Sequence, residues 1–371
     1  MNLNLIAEKI KQQLLELTQF NATPGKGVTR FPFTAEAKAA TEYLKHLMEE
    51  AGLKVRLDNS GSLIGRLEGE VPATIMIGSH LDSVKNGGAY DGIAGVVCAI
   101  AIAKEIVENK LPLHYSLEII ATNDEEGARF HTGLFSGKVM FGQLSVEDIK
   151  NQKDADGISV YQAMEEYGLE PDKIQDNVRT DIKAFLEIHI EQGPVLEAAE
   201  KNIGIVDVIV GIQRTLVTIQ GRADHAGTMP MNMRKDAMAM AGKAIAPLDE
   251  RAKQYPNAVT TVGFVAIEPN VINIIPEKVT FAVDIRGVEE TAIKGLNAAL
   301  LEDLERLAKE MDMSYTAESL LYAEPVVMNE KIRSCYETSC VRNAFPYMHL
   351  VSGAGHDEKI FGKEITAAML S

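Results

Sequence analysis

No stretch of the 371-residue sequence approaches the ~20 consecutive apolar residues that a bilayer span needs, which excludes a membrane-spanning helix. Cysteine is scarce: Cys98, Cys335 and Cys340 are odd in number and lack CxxC spacing, so reduced thiols are expected rather than a disulfide framework. Positive charge is also in deficit. Lysine and arginine total 37 against 53 acidic residues, for a formal charge of -16 and no basic stripe, which argues against nucleic acid and anionic membranes as partners. A small-molecule partner is favoured. The opening MNLNLIAEKIKQQLLEL has apolar residues at helical spacing with acidic residues among them, and lacks the basic start, apolar core and cleavage site of a signal peptide. A cytoplasmic location is therefore expected. There is no internal repeat and no low-complexity segment.

What remains is an ordinary globular composition, 46% hydrophobic and 24% charged, in a chain long for one core, so two domains are expected. Strands and helices alternate. Thr34 can cap a helix through TAEAKAATEYLKHLMEEAG, with Glu36 in its first turn and Gly52 as a left-handed stop. KVRLD, NSG and SLIGRLEG read as a hairpin. ATIMIG and SLEIIAT read as buried strands, and IAGVVCAIAIAKEIVENK, apolar nearly all round, as a sandwiched helix between them. This βαβ pattern carries acidic loops at the C-terminal ends of its strands, where open α/β sheets place their sites. From about residue 214, RTLVTIQGR through SYTAES reads β-α-β-β-α-β, a ferredoxin-like split unit. Then follow a helix near KIRSCYETSCVRNA, a strand YMHLV, the loop SGAGHD and the apolar ITAAML. The expectation is an α/β protein: a catalytic domain with a central mixed sheet flanked by helices over 1–211 and 325–371, and an inserted ferredoxin-like domain over 212–324.

The residues that carry chemistry cluster at strand ends. GSHLDSVKNGGAYDG puts His80 at the end of a buried strand, with Asp82 available to fix its ring and Asp91 among Gly87, Gly88 and Gly92. Glu125 and Glu126 follow the second strand, where adjacent carboxylates repel unless a cation is present. His189 stands within the apolar LEIHIEQGP and needs a partner there. Each has a plain alternative: a hydrogen-bonded loop or core histidine for His80 and His189, and a solvated turn or loop for Asp91 and the two glutamates. Together His80, Asp91, Glu126 and His189 form a mixed nitrogen and oxygen set suited to Zn²⁺ or Mn²⁺, with Glu125 free to act as a base.

In order along the chain, GSHLDSVKNGGAYDG, NDEEGARF, EIHIEQGPVLE, ADHAGTMPM, VINIIPEKVTFAVDIR and SGAGHDEKIF resemble the motifs of the allantoate amidohydrolase, N-carbamoyl-L-amino-acid hydrolase and β-ureidopropionase group of the M20 metallopeptidase superfamily. The resemblance implies two divalent ions bridged by Asp91, one also held by His80 and His189, the other by Glu126, with Glu125 deprotonating the attacking water. It implies a homodimer formed through the inserted lid domain, His225 reaching substrate across the interface, Arg286 clamping the substrate carboxylate, and Gln192, Arg214 and Asn273 lining the pocket. Read alone, Arg286 is equally a strand-end surface charge, Asn273 a turn residue, and His225 a loop hydrogen-bonding group. His46, His114, His131 and His349 are expected to be structural, and His356 is not expected to ligate.

The sequence departs from these relatives after GHD, where they continue to a loop of the form SHxPxE and a final helix, whereas ITAAML is followed only by Ser371. The expectation is that one metal site is weakened and that apolar sheet surface is left exposed. The activity implied is cleavage of the carbamoyl group of a linear ureido carboxylate with release of ammonia and carbon dioxide. Allantoate is the first candidate, from GIVDVIVGIQR and SGAGHDEKIF, and N-carbamoyl-L-amino acids the second. A catalytically inactive, metal-binding dimer subunit is the reading from another class, and a dipeptidase of the same superfamily is the third.

Overall fold

The structure is a computed structural model and describes residues 3–371; Met1 and Asn2, which the sequence reading included in the first domain and its opening helix, lie outside the described residues. The strands are β1 (Lys54–Leu57), β2 (Leu63–Leu67), β3 (Val71–His80), β4 (Tyr115–Thr122), β5 (Ile182–Ile188), β6 (Ile203–Ile209), β7 (Gly211–Gln220), β8 (Val259–Glu268), β9 (Lys278–Gly287), β10 (Ser314–Ala323), β11 (Val326–Val327), β12 (Tyr347–Ser352) and β13 (Thr366–Leu370). Among the described residues they form a nine-stranded sheet in the order β1-β2-β4-β3-β5-β13-β6-β11, with β12 beside β6, and a four-stranded sheet in the order β10-β7-β9-β8. No described helix is long and apolar enough to cross a membrane.

The chain divides into two compact units, Met1–Asp207 with Met328–Leu350 and Gly355–Ser371, and Val208–Val327 with Val351–Ala354. In the first, β3 runs parallel to both β4 and β5, and β13 runs parallel to β5, so the C-terminal ends of four central strands share one edge. These strands are covered on both faces, which is why ATIMIG and SLEIIAT are continuous rather than alternating apolar runs. The sandwiched helix spans Ile93–Glu108 and lies between these strands and the opening helix Leu3–Leu17. Gly95 permits this fit, since a Cβ there would meet the Ile188 carbonyl oxygen at 2.0 Å. On the other side of the sheet Phe185 stacks on Phe361 with centroids 4.0 Å apart.

Thr34 caps the helix Ala35–Glu50, accepting from the Ala37 N–H at 3.3 Å, and Gly52 beyond it has φ 86°. β1 and β2 form the expected antiparallel hairpin. The segment from Phe135 to Asn177, which carries no strong period, folds into short helices. Two of them start at Ser145 and Ser159, whose side chains accept backbone N–H groups. Their apolar residues join Phe33 and Phe130 in a separate cluster.

In the second unit the element order is β-α-β-β-α-β, with helices Ala237–Ile245 and Glu290–Met311 over one face of the antiparallel sheet. The alternation on β9 is strict: Val279, Phe281, Val283 and Ile285 are buried against the helices, leaving Asp284 and Arg286 on the opposite face.

Candidate metal centre

Parallel topology assembles the site. His80 ends β3, His189 directly follows β5, and Glu125 and Glu126 lie just past β4, so three strand ends deliver them to one edge. His189 is therefore not within its strand, as the pattern LEIHIEQGP suggests, but one residue beyond it. Asp91 arrives from the turn that starts the Ile93–Glu108 helix. Gly92 there has φ 64°, and a Cβ on it would lie 2.4 Å from the His80 ring, so glycine is required both for conformation and for space.

The two imidazoles define the chemistry. His80 Nδ1 is 2.9 Å from the Asp82 carbonyl oxygen and His189 Nδ1 is 2.8 Å from the Ile190 carbonyl oxygen. A carbonyl only accepts, so each Nδ1 carries the hydrogen and each Nε2 presents a lone pair. These Nε2 atoms face one another at 3.2 Å. Asp91 Oδ1 lies 3.3 Å from His189 Nε2 and 4.0 Å from His80 Nε2, and Glu125 Oε2 lies 4.0 Å from His80 Nε2. Converging buried lone pairs and carboxylates repel unless a cation or proton stands among them. The residues present fit a divalent metal with nitrogen and oxygen ligands. His80, Asp91 and His189 form one group able to hold an ion, and His80, Glu125 and Glu126 a second that shares His80.

The titration behaviour reflects the same surplus of negative charge. Burial opposes charging of His80, yet Asp82, Glu126, Asp91 and Glu187 outweigh it and raise its pKa. His189 is pushed down to about 4, by burial and then by the neighbouring charge on His80. Glu125 is raised well above the ordinary carboxylate range, first by burial and then by Asp357, Asp82, Glu126 and Glu187. Glu126, less enclosed, is raised mainly by burial. A carboxyl that keeps its proton toward neutrality is suited to taking and returning protons.

The structure revises one expectation from the sequence, for Asp82, and adds a contact to another, for Gln192. Asp82 does not orient His80 through its carboxylate, which stays 4.0 Å from Nδ1; its backbone carbonyl does so. The buried carboxylate instead accepts the N–H groups of Glu125 at 3.0 Å and Glu126 at 3.1 Å, tethering the loop that carries both glutamates. Gln192, expected to line the pocket, has φ 54° and donates its amide to both Asp91 oxygens at 3.1 and 3.0 Å, so it orients Asp91.

Arg30 and Ser79 are not marked by the sequence pattern, and His356 stands closer to the site than its reading as a non-ligand implies. Arg30 is buried, donates from Nε to the Leu81 carbonyl at 2.8 Å and from Nη1 to the Leu17 carbonyl at 3.0 Å, and so braces the chain between His80 and Asp82. Burial lowers its pKa to about 10, with Asp82 opposing. Ser79 donates to Glu187 at 2.5 Å. His356, set aside as a ligand, is buried with its ring centroid 4.4 Å from that of His189 and groups with Glu187 and His189. An isolated arginine between two apolar segments, and a histidine in a glycine loop, carry no periodic signal that would have marked them.

The remaining predicted residues belong to the smaller unit and fall into two groups. His225 Nδ1 accepts the Gly227 N–H at 3.0 Å, which leaves the proton on Nε2, and the Asn273 carbonyl accepts the Ala226 N–H at 3.0 Å, so the loops bearing His225 and Asn273 are joined. Arg214 and Arg286 both bind Asp284.

Comparison with known proteins accords with this arrangement. The family signature "Peptidase family M20/M25/M40" matches residues 76–371. An N-carbamoyl-L-amino acid amidohydrolase of Geobacillus stearothermophilus is 40% identical over 354 residues, spanning 94% of this chain and 86% of the relative. An allantoate amidohydrolase of Bacillus subtilis (strain 168) is 36% identical over 357 residues, spanning 95% and 87%. The crystal structure of an amidase of the hydantoinase/carbamoylase family from Burkholderia multivorans superimposes with TM-score 0.90 at 29% identity, covering 98% of this chain and 89% of that one. With its parallel strand ends, its paired imidazoles and these matches along nearly its whole length, the chain belongs to the M20/M25/M40 peptidase family.

Proposed function

We propose that the chain is a metal-dependent amidohydrolase that removes the carbamoyl group of a linear ureido carboxylate. The observation that carries this reading is the pair of Nε2 lone pairs 3.2 Å apart beside Asp91, with Glu125 at the same edge. His80, Asp91 and His189 would hold one divalent ion, and Glu126 with the shared Asp91 a second. A bound divalent ion supplies Lewis-acid polarisation and makes water more acidic. Glu125 takes a proton from the water that attacks the carbamoyl carbon and delivers it to the terminal nitrogen, which leaves as ammonia as the C–N bond breaks. The carbamate left behind loses carbon dioxide. Asp82 holds Glu125 at its backbone, and Gln192 holds Asp91, so neither must reorganise during the reaction. His225, with its proton on Nε2, is the donor assigned to the developing oxyanion, and Arg286 the group assigned to the substrate carboxylate.

Allantoate is the substrate placed first, since Arg214 beside Arg286 offers additional donors; N-carbamoyl-L-amino acids are the second reading, supported by the 40% identity to one such hydrolase. Homodimerisation through the smaller unit is part of the proposal and is supported by its edge strand β8, which exposes Val259, Phe264 and Val265. The test is ammonia release by the purified chain, with Mn²⁺ added, from allantoate and from N-carbamoyl-L-alanine, with Glu125→Gln as control. Release from either substrate that vanishes in the control supports the reading and ranks the substrates. Release from neither, with dipeptides cleaved instead, would replace it with a peptidase.

A further inference from the structure

The segment that carries Glu125 and Glu126 is held in an unfavourable backbone conformation. Between β4 and the helix Phe135–Met140, five residues (Asp124, Gly127, His131, Gly133 and Leu134) have φ between 52° and 63°. Three of these carry side chains, which disfavour the left-handed region, so the conformation persists only where its surroundings enforce it. The outgoing and returning limbs of the segment touch. A Cβ on Gly127 would lie 2.5 Å from the Gly133 nitrogen, and one on Gly133 would lie 2.9 Å from the Glu125 carbonyl oxygen. That same oxygen accepts the Leu134 N–H at 2.8 Å. The return limb, residues 132–134, is therefore seated directly on the backbone of Glu125.

One side chain fastens that limb. Lys138, half-buried on the helix Phe135–Met140, donates from Nζ to the Thr132 and Gly133 carbonyls at 2.8 Å each. It also faces Asp124, whose buried carboxylate accepts no hydrogen bond among the described residues and is opposed by the charges of Lys138 and Arg129. Arg129 is committed elsewhere, to Asp154 at 3.0 Å and to the Pro32 carbonyl at 2.9 Å. The two sides of the Glu125 backbone are thus fixed by different groups: Asp82 accepts its N–H, and the limb held by Lys138 meets its carbonyl. We propose that Lys138 is a positioning residue for the hydrolysis: by fastening Thr132 and Gly133 it fixes where the Glu125 and Glu126 side chains point. This rests on the preceding assignment of Glu125 as the base, and it adds the group that holds that base from behind. His80 and His189 are delivered by β3 and β5 and do not depend on it.

The opposing reading, that Lys138 only closes the start of a short helix and balances Asp124, predicts a loss of stability with unchanged turnover. The experiment compares the full-length, Mn²⁺-loaded chain with Lys138→Met and Lys138→Arg. Methionine keeps an apolar stem without donor or charge, whereas arginine keeps both. The substrate is whichever of allantoate and N-carbamoyl-L-alanine releases ammonia faster. Lys138→Met should lower kcat about 10–100-fold with KM within about threefold, since a misplaced base costs turnover rather than substrate binding. Lys138→Arg should recover most of that loss. Mn²⁺ affinity at His80, Asp91 and His189 should stay within about threefold in both variants, which separates misplacement from unfolding. Hydrogen exchange of the Leu134 N–H should quicken at least about tenfold in Lys138→Met and return toward the parent rate in Lys138→Arg. Unchanged kcat in Lys138→Met, an arginine variant no better than the methionine one, or Mn²⁺ binding lost together with turnover would each overturn the proposal. Absence of ammonia release from the unsubstituted chain would sink the hydrolytic reading; the exchange measurement then decides, and unchanged protection of Leu134 in Lys138→Met would overturn the fastening itself.

Discussion

The strand-end edge of the larger unit and the open sheet face of the smaller one handle charge in opposite ways. At the edge, His80, Asp82, Glu125 and His189 are nearly inaccessible to solvent, and the two imidazole Nε2 atoms converge beside carboxylates. On the sheet face, Arg214, Asp284 and Arg286 are partly exposed and satisfy one another, with one positive charge left over. The first arrangement is costly unless something positive enters, because buried like groups raise one another's energy steeply. The second is satisfied as it stands. The difference teaches that a candidate metal site is marked by the polar groups it leaves unsatisfied, whereas a sheet-face ion-pair cluster is already complete.

Breaking the first region should have the largest consequences. Glu125→Gln keeps the shape of the side chain but removes its proton transfer, and ammonia release should fall by about 10²–10⁴-fold in a steady-state assay while bound metal is retained. Asp82→Asn weakens the tether on the Glu125–Glu126 loop, since an amide accepts less strongly and presents a donor to one backbone N–H; metal affinity or turnover should drop by about 10–100-fold. Titration offers a milder perturbation. The metal-free His80 has a raised pKa, so its proton is held above the ordinary imidazole value and must leave for an ion to bind. Apparent metal affinity should therefore weaken as pH falls through that raised pKa, by up to about tenfold per pH unit for one displaced proton, as read by chelator competition between pH 8 and 6. At the small end, Thr34→Ala removes a helix cap and should cost about 1 kcal/mol in chemical unfolding without altering metal affinity.

The sequence made the edge legible because parallel strands buried on both faces write themselves as short apolar runs, and chemistry-bearing residues follow each run. His80, Glu125, Glu126 and His189 stand out for that reason, and Asp91 through the glycines around it. The β-α-β-β-α-β unit was equally readable from its periods. What could not be read were roles set by direction rather than position. Spacing places Asp82 near His80 but does not say that the carbonyl, not the carboxylate, meets the ring, nor that the carboxylate points at the next loop. Nor does spacing say that the left-handed backbone of Gln192 turns its amide onto Asp91. Arg30 braces the site from 50 positions upstream in chain order, through carbonyl contacts that leave no sequence pattern.

The most direct test of the central claim is calorimetric titration of Mn²⁺ and Zn²⁺ into the chelator-treated chain, alongside His80→Ala and His189→Ala. The account predicts tight binding of at least one ion by the unsubstituted chain, accompanied by increased thermal stability, and loss of that binding in both variants with their folds retained by circular dichroism. Binding that survives removal of either imidazole, or an unsubstituted chain that takes up no divalent ion, would contradict it.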